Sequence, residues 1–116
     1  MEVIIYHNPR CSKSRQTLDL ITQNNIEPVI INYQETPPTH QQLDSILRGL
    51  NMEPRDLMRK SESEYKEQSL NNNDLSRDQL IEAMIATPKL IERPIVVAGD
   101  EIVIGRPPES VLAILP

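Results

Sequence analysis

The first thirty-three residues constrain the fold more than any other stretch. Val3, Ile4, Ile5 and Tyr6 form a short apolar run, and "PVIINY", residues 28 to 33, is a second run bounded by proline and asparagine. Both are rich in β-branched side chains and have the length of buried strands. Between them, residues 11 to 24 read as a helix that turns Leu18 and Ile21 inward. A strand, a helix and a strand in so short a span make a βαβ unit. The crossover returns the second strand in the direction of the first, so the pair is parallel, and the connection is expected to be right-handed.

The remainder of the chain extends that unit. In "ETPPTHQQLDSILRGL", Thr39 and Gln42 form a capping box, and Leu43, Ile46, Leu47 and Leu50 recur at helical spacing. Ser76 and Gln79 make a second capping box, ahead of Leu80, Ile81, Met84 and Ile85. The polar stretch "RDLMRKSESEYKEQSLNNND" predicts short helices and turns. "PIVVA" and "EIVIG" flank Gly99 and Asp100, a two-residue hairpin connection with glycine at its first position. Pro107 and Pro108 then open a closing helix with Val111, Leu112 and Leu115 on one face. The order βαβ, helical block, ββα predicts an α/β fold, a thioredoxin-like mixed four-stranded sheet with a helical insert. With no repeat and no low-complexity linker, residues 1–116 are expected to form a single domain.

Composition removes several function classes. Only 3% of residues are aromatic, with no Phe or Trp, so the platforms on which single-stranded nucleic acid stacks are missing. A net charge of -5 has the wrong sign for neutralising phosphates, and no nucleic-acid partner is expected. One cysteine rules out an internal disulfide, and with two well-separated histidines, His7 and His40, it gives no zinc spacing, so no metal is expected. The N-terminal apolar run is too short for a signal peptide or a membrane span, and the expected location is the reducing cytoplasm, away from any membrane.

The single cysteine lies in "HNPRCSKSR", directly behind the first strand. A turn from strand into helix exposes unsatisfied backbone N–H groups and the positive end of the helix dipole. Cys11 occupies that turn, and Arg10, Lys13 and Arg15 add positive charge, so its thiol is expected to ionise easily. The N–H groups are also an anion site, which places a nucleophile and an oxyanion in one cradle. Ser14 offers a hydroxyl to either. His7 either polarises the thiol region or simply ends the strand. A lone cysteine is ordinarily an inert buried hydrophobe, but Pro9 and cations are poor company for one. The residue at phosphatase spacing, where arginine would be required, is Thr17. Cys11 to Ser14 reads CxxS rather than CxxC, so an oxidised Cys11 needs an outside thiol to resolve it.

With "YHNPRCSKSR" at one end and "ERPIVV" and "IGRPPE" at the other, the chain resembles the glutaredoxin-dependent arsenate reductases, and in particular their short bacterial members. The resemblance spans essentially all 116 residues. It implies that Cys11 is the nucleophile and that Arg59, Arg93 and Arg106 hold the oxyanion, with His7, Asn8, Ser14, Arg15 and Pro94 in support. It also implies that Pro94 follows a cis peptide bond and faces the cysteine. By composition alone, Arg59 in "LMRK" reads as part of a solvated charged face, whereas Arg93 and Arg106 border terminal strands that a sheet would bring to one edge. The implied substrate is arsenate, with glutathione as co-substrate, a glutaredoxin as partner and no bound cofactor. The chain ends at Pro116, where better-characterised members carry a C-terminal extension. Two other readings use the same thiol: a monothiol oxidoreductase acting on glutathione mixed disulfides, and a regulator like Spx that binds RNA polymerase. The first needs no converging arginines, and the second typically has CxxC.

Overall fold

The computed structural model of the chain describes residues 2–116. They divide into two compact units, one of residues 2–36 with Arg93–Pro116 and one of Pro37–Glu92. The first unit is thioredoxin-like, and the second is the helical insert.

In the first unit β1 (Val3–His7), β2 (Val29–Asn32), β3 (Ile95–Ala98) and β4 (Glu101–Ile104) form one sheet in the order β2-β1-β3-β4. β1 runs parallel to β2 with Ile4 opposite Val29 and His7 opposite Asn32, as the βαβ reading requires. β3 is antiparallel to β1, and β4 to β3. Alternation along β1 sends Val3 and Ile5 to one face, where they meet Val96 and Ala98. There they form a core with Ile21 of α1 (Ser12–Gln23) and with Val111, and Leu18, Val103, Ile114 and Leu115 pack against its margin. The hairpin turns at Gly99, whose φ of 61° is the positive value a type II′ turn demands at its first central residue.

Two expectations need correction. β2 is not a buried strand. It is an edge strand of the sheet, and Val29 and Ile30 are 44% and 52% exposed. Four apolar residues look alike in sequence whether a strand has neighbours on both sides or on one. The closing segment Pro108–Ala113 is a 3₁₀ helix, so side chains three apart share a face. Val111 and Ile114 therefore pack inward, while Leu112 faces outward, 47% exposed.

In the second unit both capping boxes form as read. Thr39 opens α2 (His40–Leu50) and Ser76 opens α4 (Arg77–Ala86), with α3 (Ser63–Glu67) and short 3₁₀ turns making up the polar stretch. Leu43, Ile46 and Leu47 of α2 and Leu80, Ile81 and Met84 of α4 are buried. Arg77 of α4 is bound to Asp44 of α2 at 2.9 Å. His40 lies between Asp78 and Glu82 of α4, at 3.2 and 2.6 Å.

Candidate active site

The site is built where β1 ends. Asn8 shapes the turn: its carbonyl accepts the Cys11 N–H at 3.0 Å, and its Oδ1 accepts the Arg10 N–H at 3.0 Å. The chain is thereby bent so that Cys11, in extended conformation, becomes the N-cap residue of α1. Arg15 fastens the outside of the turn through Nη1, which donates to the Pro9 carbonyl at 2.9 Å. Ser14 is fully buried, and its Oγ accepts the Asn8 N–H at 3.0 Å and lies 2.6 Å from His7 Nδ1. The Ser14 hydroxyl is therefore spent on joining α1 to the end of β1. What Ser14 offers the thiol is its backbone N–H.

His7 is 7% exposed, and burial together with the nearby Arg15 cation lowers its pKa. The neutral imidazole is hydrogen-bonded to the Ser14 hydroxyl through Nδ1. In this arrangement His7 is a fixed post for the Cys11 turn.

Five influences meet on the Cys11 thiol, which is half-buried. Burial raises its pKa, while the Ser14 N–H, a hydrogen bond from Arg93, the Lys13 N–H and the Arg93 charge lower it, and the lowering influences prevail. Sγ makes no capping bond of ordinary geometry to the helix, so the two N–H groups act on it through their dipoles. No acidic side chain stands in the first turn of α1 to offset that positive end.

The two arginines arrive from β3 and β4. Arg93 precedes β3 and is joined to Pro94 by a cis peptide bond; Arg106 follows β4 by two residues. Because β3 and β4 are antiparallel neighbours, the start of one lies beside the end of the other, and Ile95 stands opposite Ile104. Arg106 donates from Nε to the Arg93 carbonyl at 2.9 Å, and its Nη2 stands 3.8 Å from Cys11 Sγ. One end of Arg106 is thus tied to the proline segment and the other is aimed at sulfur. Both guanidinium groups, the thiol and the N-terminus of α1 meet at one point. Such a set suits a tetrahedral oxyanion, with planar donor forks on one side and backbone N–H groups on the other.

Arg59 belongs to the second unit. Its N–H is bonded to the Leu90 carbonyl at 2.7 Å, beside the bridge between Met58 and Ile91. Its guanidinium is paired with Glu62 at 2.6 Å and lies 3.9 Å from Glu92. It is a half-buried, carboxylate-bound arginine, not part of a solvated face.

Three residues of the site region escaped the sequence reading. Thr17, fully buried on α1, donates to the Lys13 carbonyl at 2.8 Å and reaches the Gly105 carbonyl at 3.5 Å. Gly105 fits between Thr17 and Pro94 where a side chain would not. Its position just before Arg106 in "IGRPPE" was the available signal. Tyr33, one residue beyond β2, is 1% exposed, and its hydroxyl has no hydrogen-bond partner among the described residues. Nothing in "PVIINY" distinguishes that hydroxyl from a strand-end tyrosine in contact with water. Among the described residues, no group of three or more His, Cys, Asp or Glu side chains is placed to hold a metal ion, and no helix is long and apolar enough to cross a membrane.

The chain is similar to known proteins along nearly its whole length. The arsenate reductase of Haemophilus influenzae is 47% identical over 116 residues, covering 99% of this chain and 100% of that protein. A protein of Escherichia coli named YfgD, described as uncharacterized, is 52% identical over 98% of this chain and 97% of its own length. The solved structure of an arsenate reductase from Vibrio cholerae is 50% identical and superposes with a TM-score of 0.95 over 99% of this chain and 98% of that one. The sequence model of the ArsC family matches residues 6–114, from the last residues of β1 through the 3₁₀ helix. Since that match takes in the cysteine turn and both arginine segments in a single span, the chain belongs to the ArsC family.

Proposed function

We propose that this protein is an oxidoreductase that reduces arsenate to arsenite with glutathione as electron donor. The observation that carries the reading is the position of Arg106 Nη2, 3.8 Å from the Cys11 thiol on which Arg93 also acts. An inert thiol needs no such company, and a thiol that only exchanges disulfides needs no oxyanion clamp. The arsenate reductases among its relatives support the same substrate.

In the proposed reaction the Cys11 thiolate attacks arsenic, a sulfur–arsenic bond forms, and one arsenate oxygen leaves as water after taking up protons. Arg93, Arg106 and the N–H groups of Lys13 and Ser14 hold the remaining oxygens and the charge that shifts onto them. Glutathione thiolate then attacks the Cys11 sulfur. The sulfur–arsenic bond breaks with its electron pair left on arsenic, arsenite departs, and Cys11 is left in a mixed disulfide with glutathione. A glutaredoxin thiol removes the glutathione and restores Cys11. Two thiols are oxidised to one disulfide, and arsenic gains two electrons. Phosphate fits the same cradle and is not reduced by thiols, so it acts as an inhibitor. A reaction that depends on reduced glutathione suits the reducing cytoplasm.

The test is arsenite formation by purified protein with arsenate, glutathione and glutaredoxin. Activity is expected, with loss in Cys11→Ser and strong weakening in Arg93→Ala and Arg106→Ala. Absence of arsenite above background with intact protein would overturn the reading.

A further inference from the structure

The Tyr33 hydroxyl has no structural employment. Tyr33 is 1% exposed, so water does not reach it, and no described residue hydrogen-bonds its oxygen. Leaving a buried hydroxyl without a partner is costly, and native structures seldom do so without reason. Its place in the fold supplies one. β1 and β2 are parallel and in register, His7 opposite Asn32, so the residues that follow them leave the sheet at the same edge. One exit is the turn that carries Cys11. The other begins with Tyr33. Ligands of parallel strand pairs bind outside these carboxyl ends.

The groups around the hydroxyl are mostly donors. The Arg93 cation and the Cys11 thiolate both act on Tyr33 electrostatically, and the side-chain amides of Asn8 and Gln34 are close enough to affect its acidity without forming a bond of proper geometry. Arg93 has only N–H groups to give, Asn8 Oδ1 already accepts one bond from the Arg10 N–H, and neither Asn8 nor Gln34 forms a bond of proper geometry with the phenol. The phenolic proton therefore faces a donor-rich, positively charged site in want of an anion. Burial, the largest influence on it, raises the phenol's pKa, so the proton stays in place at neutral pH.

We infer that Tyr33 is a substrate-binding residue whose hydroxyl donates a hydrogen bond to an oxygen of the oxyanion held between Cys11 and Arg93. The inference rests on the oxyanion-reductase reading above and adds a donor from the end of β2. The hydroxyl is closed to water in this structure, so the oxyanion meets it only as the side chains over it part. A hydrogen bond from such a group to a charged oxygen corresponds to about tenfold to a hundredfold in binding.

The experiment compares wild type with Tyr33→Phe, which removes the oxygen and keeps the ring. Cys11 is alkylated with iodoacetamide in rising concentrations of inorganic phosphate or arsenate, and the concentration that half-protects the thiol is read alongside Tm and arsenite formation. Expected in Tyr33→Phe are an unchanged or higher Tm, an unchanged alkylation rate without oxyanion, and a half-protecting concentration raised about tenfold or more. The same factor is expected in the KM for arsenate. Equal protection of the two proteins, within about twofold, overturns the inference. Protection that differs between them while neither forms arsenite supports the inference and overturns the reductase reading. No protection of wild type at all overturns both. If the variant melts lower, the wild type decides: phosphate must then perturb tyrosine ultraviolet absorbance, and an unperturbed spectrum overturns the inference.

Discussion

Replacing Gly105 by alanine tests how closely the arginine segments are seated on α1. An alanine Cβ there would stand 2.5 Å from Thr17 Oγ1, 2.8 Å from Pro94 Cγ and 3.0 Å from Thr17 Cγ2. All three fall short of an ordinary 3.4 Å contact, the first by about 0.9 Å. None of the neighbours is a flexible chain end. Pro94 is a ring on a cis peptide, and Thr17 is a β-branched helical residue whose hydroxyl is bonded to the Lys13 carbonyl at 2.8 Å. Relief requires moving α1 away from the proline or turning Thr17 out of its bond. Overpacking of this kind costs about 1–3 kcal/mol, and losing the hydroxyl bond adds about 1 kcal/mol, so about 2–4 kcal/mol is expected. With an unfolding entropy of about 2.1 cal/mol/K per residue, about 2–4 kcal/mol lowers Tm by about 8–16 °C in a chain of 116 residues. Thermal unfolding followed by circular dichroism measures it. Thr17→Ala in the same chain removes two of the three clashes, so the double variant should be less destabilised than the sum of the singles, by about 1 kcal/mol. Since Arg106 follows Gly105 directly, arsenite formation should fall as well. A Gly105→Ala protein melting within about 2 °C of wild type would refute the reasoning.

The Cys11 thiol should titrate below the ordinary cysteine value, and Arg93→Ala should raise its midpoint, as read from thiolate ultraviolet absorbance; an unmoved midpoint would mean that the guanidinium does not act on sulfur. The two histidines should shape stability with opposite signs. His7 is held below the ordinary 6.5, so its stabilisation is present above that pH and declines as pH falls toward its lower folded value. His40 is held above 6.5 by Glu82 and Asp78, so its stabilisation is present below that pH and is lost as pH rises through its higher folded value. Urea midpoints across this range should show that His40→Gln abolishes only the loss on the alkaline side, and a variant that keeps that loss would contradict the assignment.

How far the sequence carried depended on whether a feature was local. Caps and turns were legible because their chemistry lies within a few residues: Thr39 with Gln42, Ser76 with Gln79, and Gly99 at the hairpin all form as read. The parallel β1 and β2 pair was also legible, since a helix-length crossover permits little else. Cys11 at the head of α1 followed from the same local pattern.

What the sequence could not decide was every property set by a neighbour distant along the chain. Val29 and Ile30 are exposed because β3 takes the other side of β1 and leaves β2 at the edge. Leu112 faces outward because the closing segment tightens to 3₁₀ geometry against the sheet. Ser14 gives its hydroxyl to His7 and Asn8, and Arg59 gives its guanidinium to Glu62, each diverted by a partner that residue type alone does not reveal. The approach of Arg106 to a cysteine ninety-five positions earlier, the close fit of Gly105 on Thr17 and the unpartnered hydroxyl of Tyr33 exist only once the sheet is assembled. Sequence by itself determined the scaffold and the place of the single cysteine at the head of α1, because dipoles, caps and crossovers act over short spans of chain. The tertiary structure decided which charged side chains reach that thiol, because hydrogen bonds and Coulomb forces depend on distance in space.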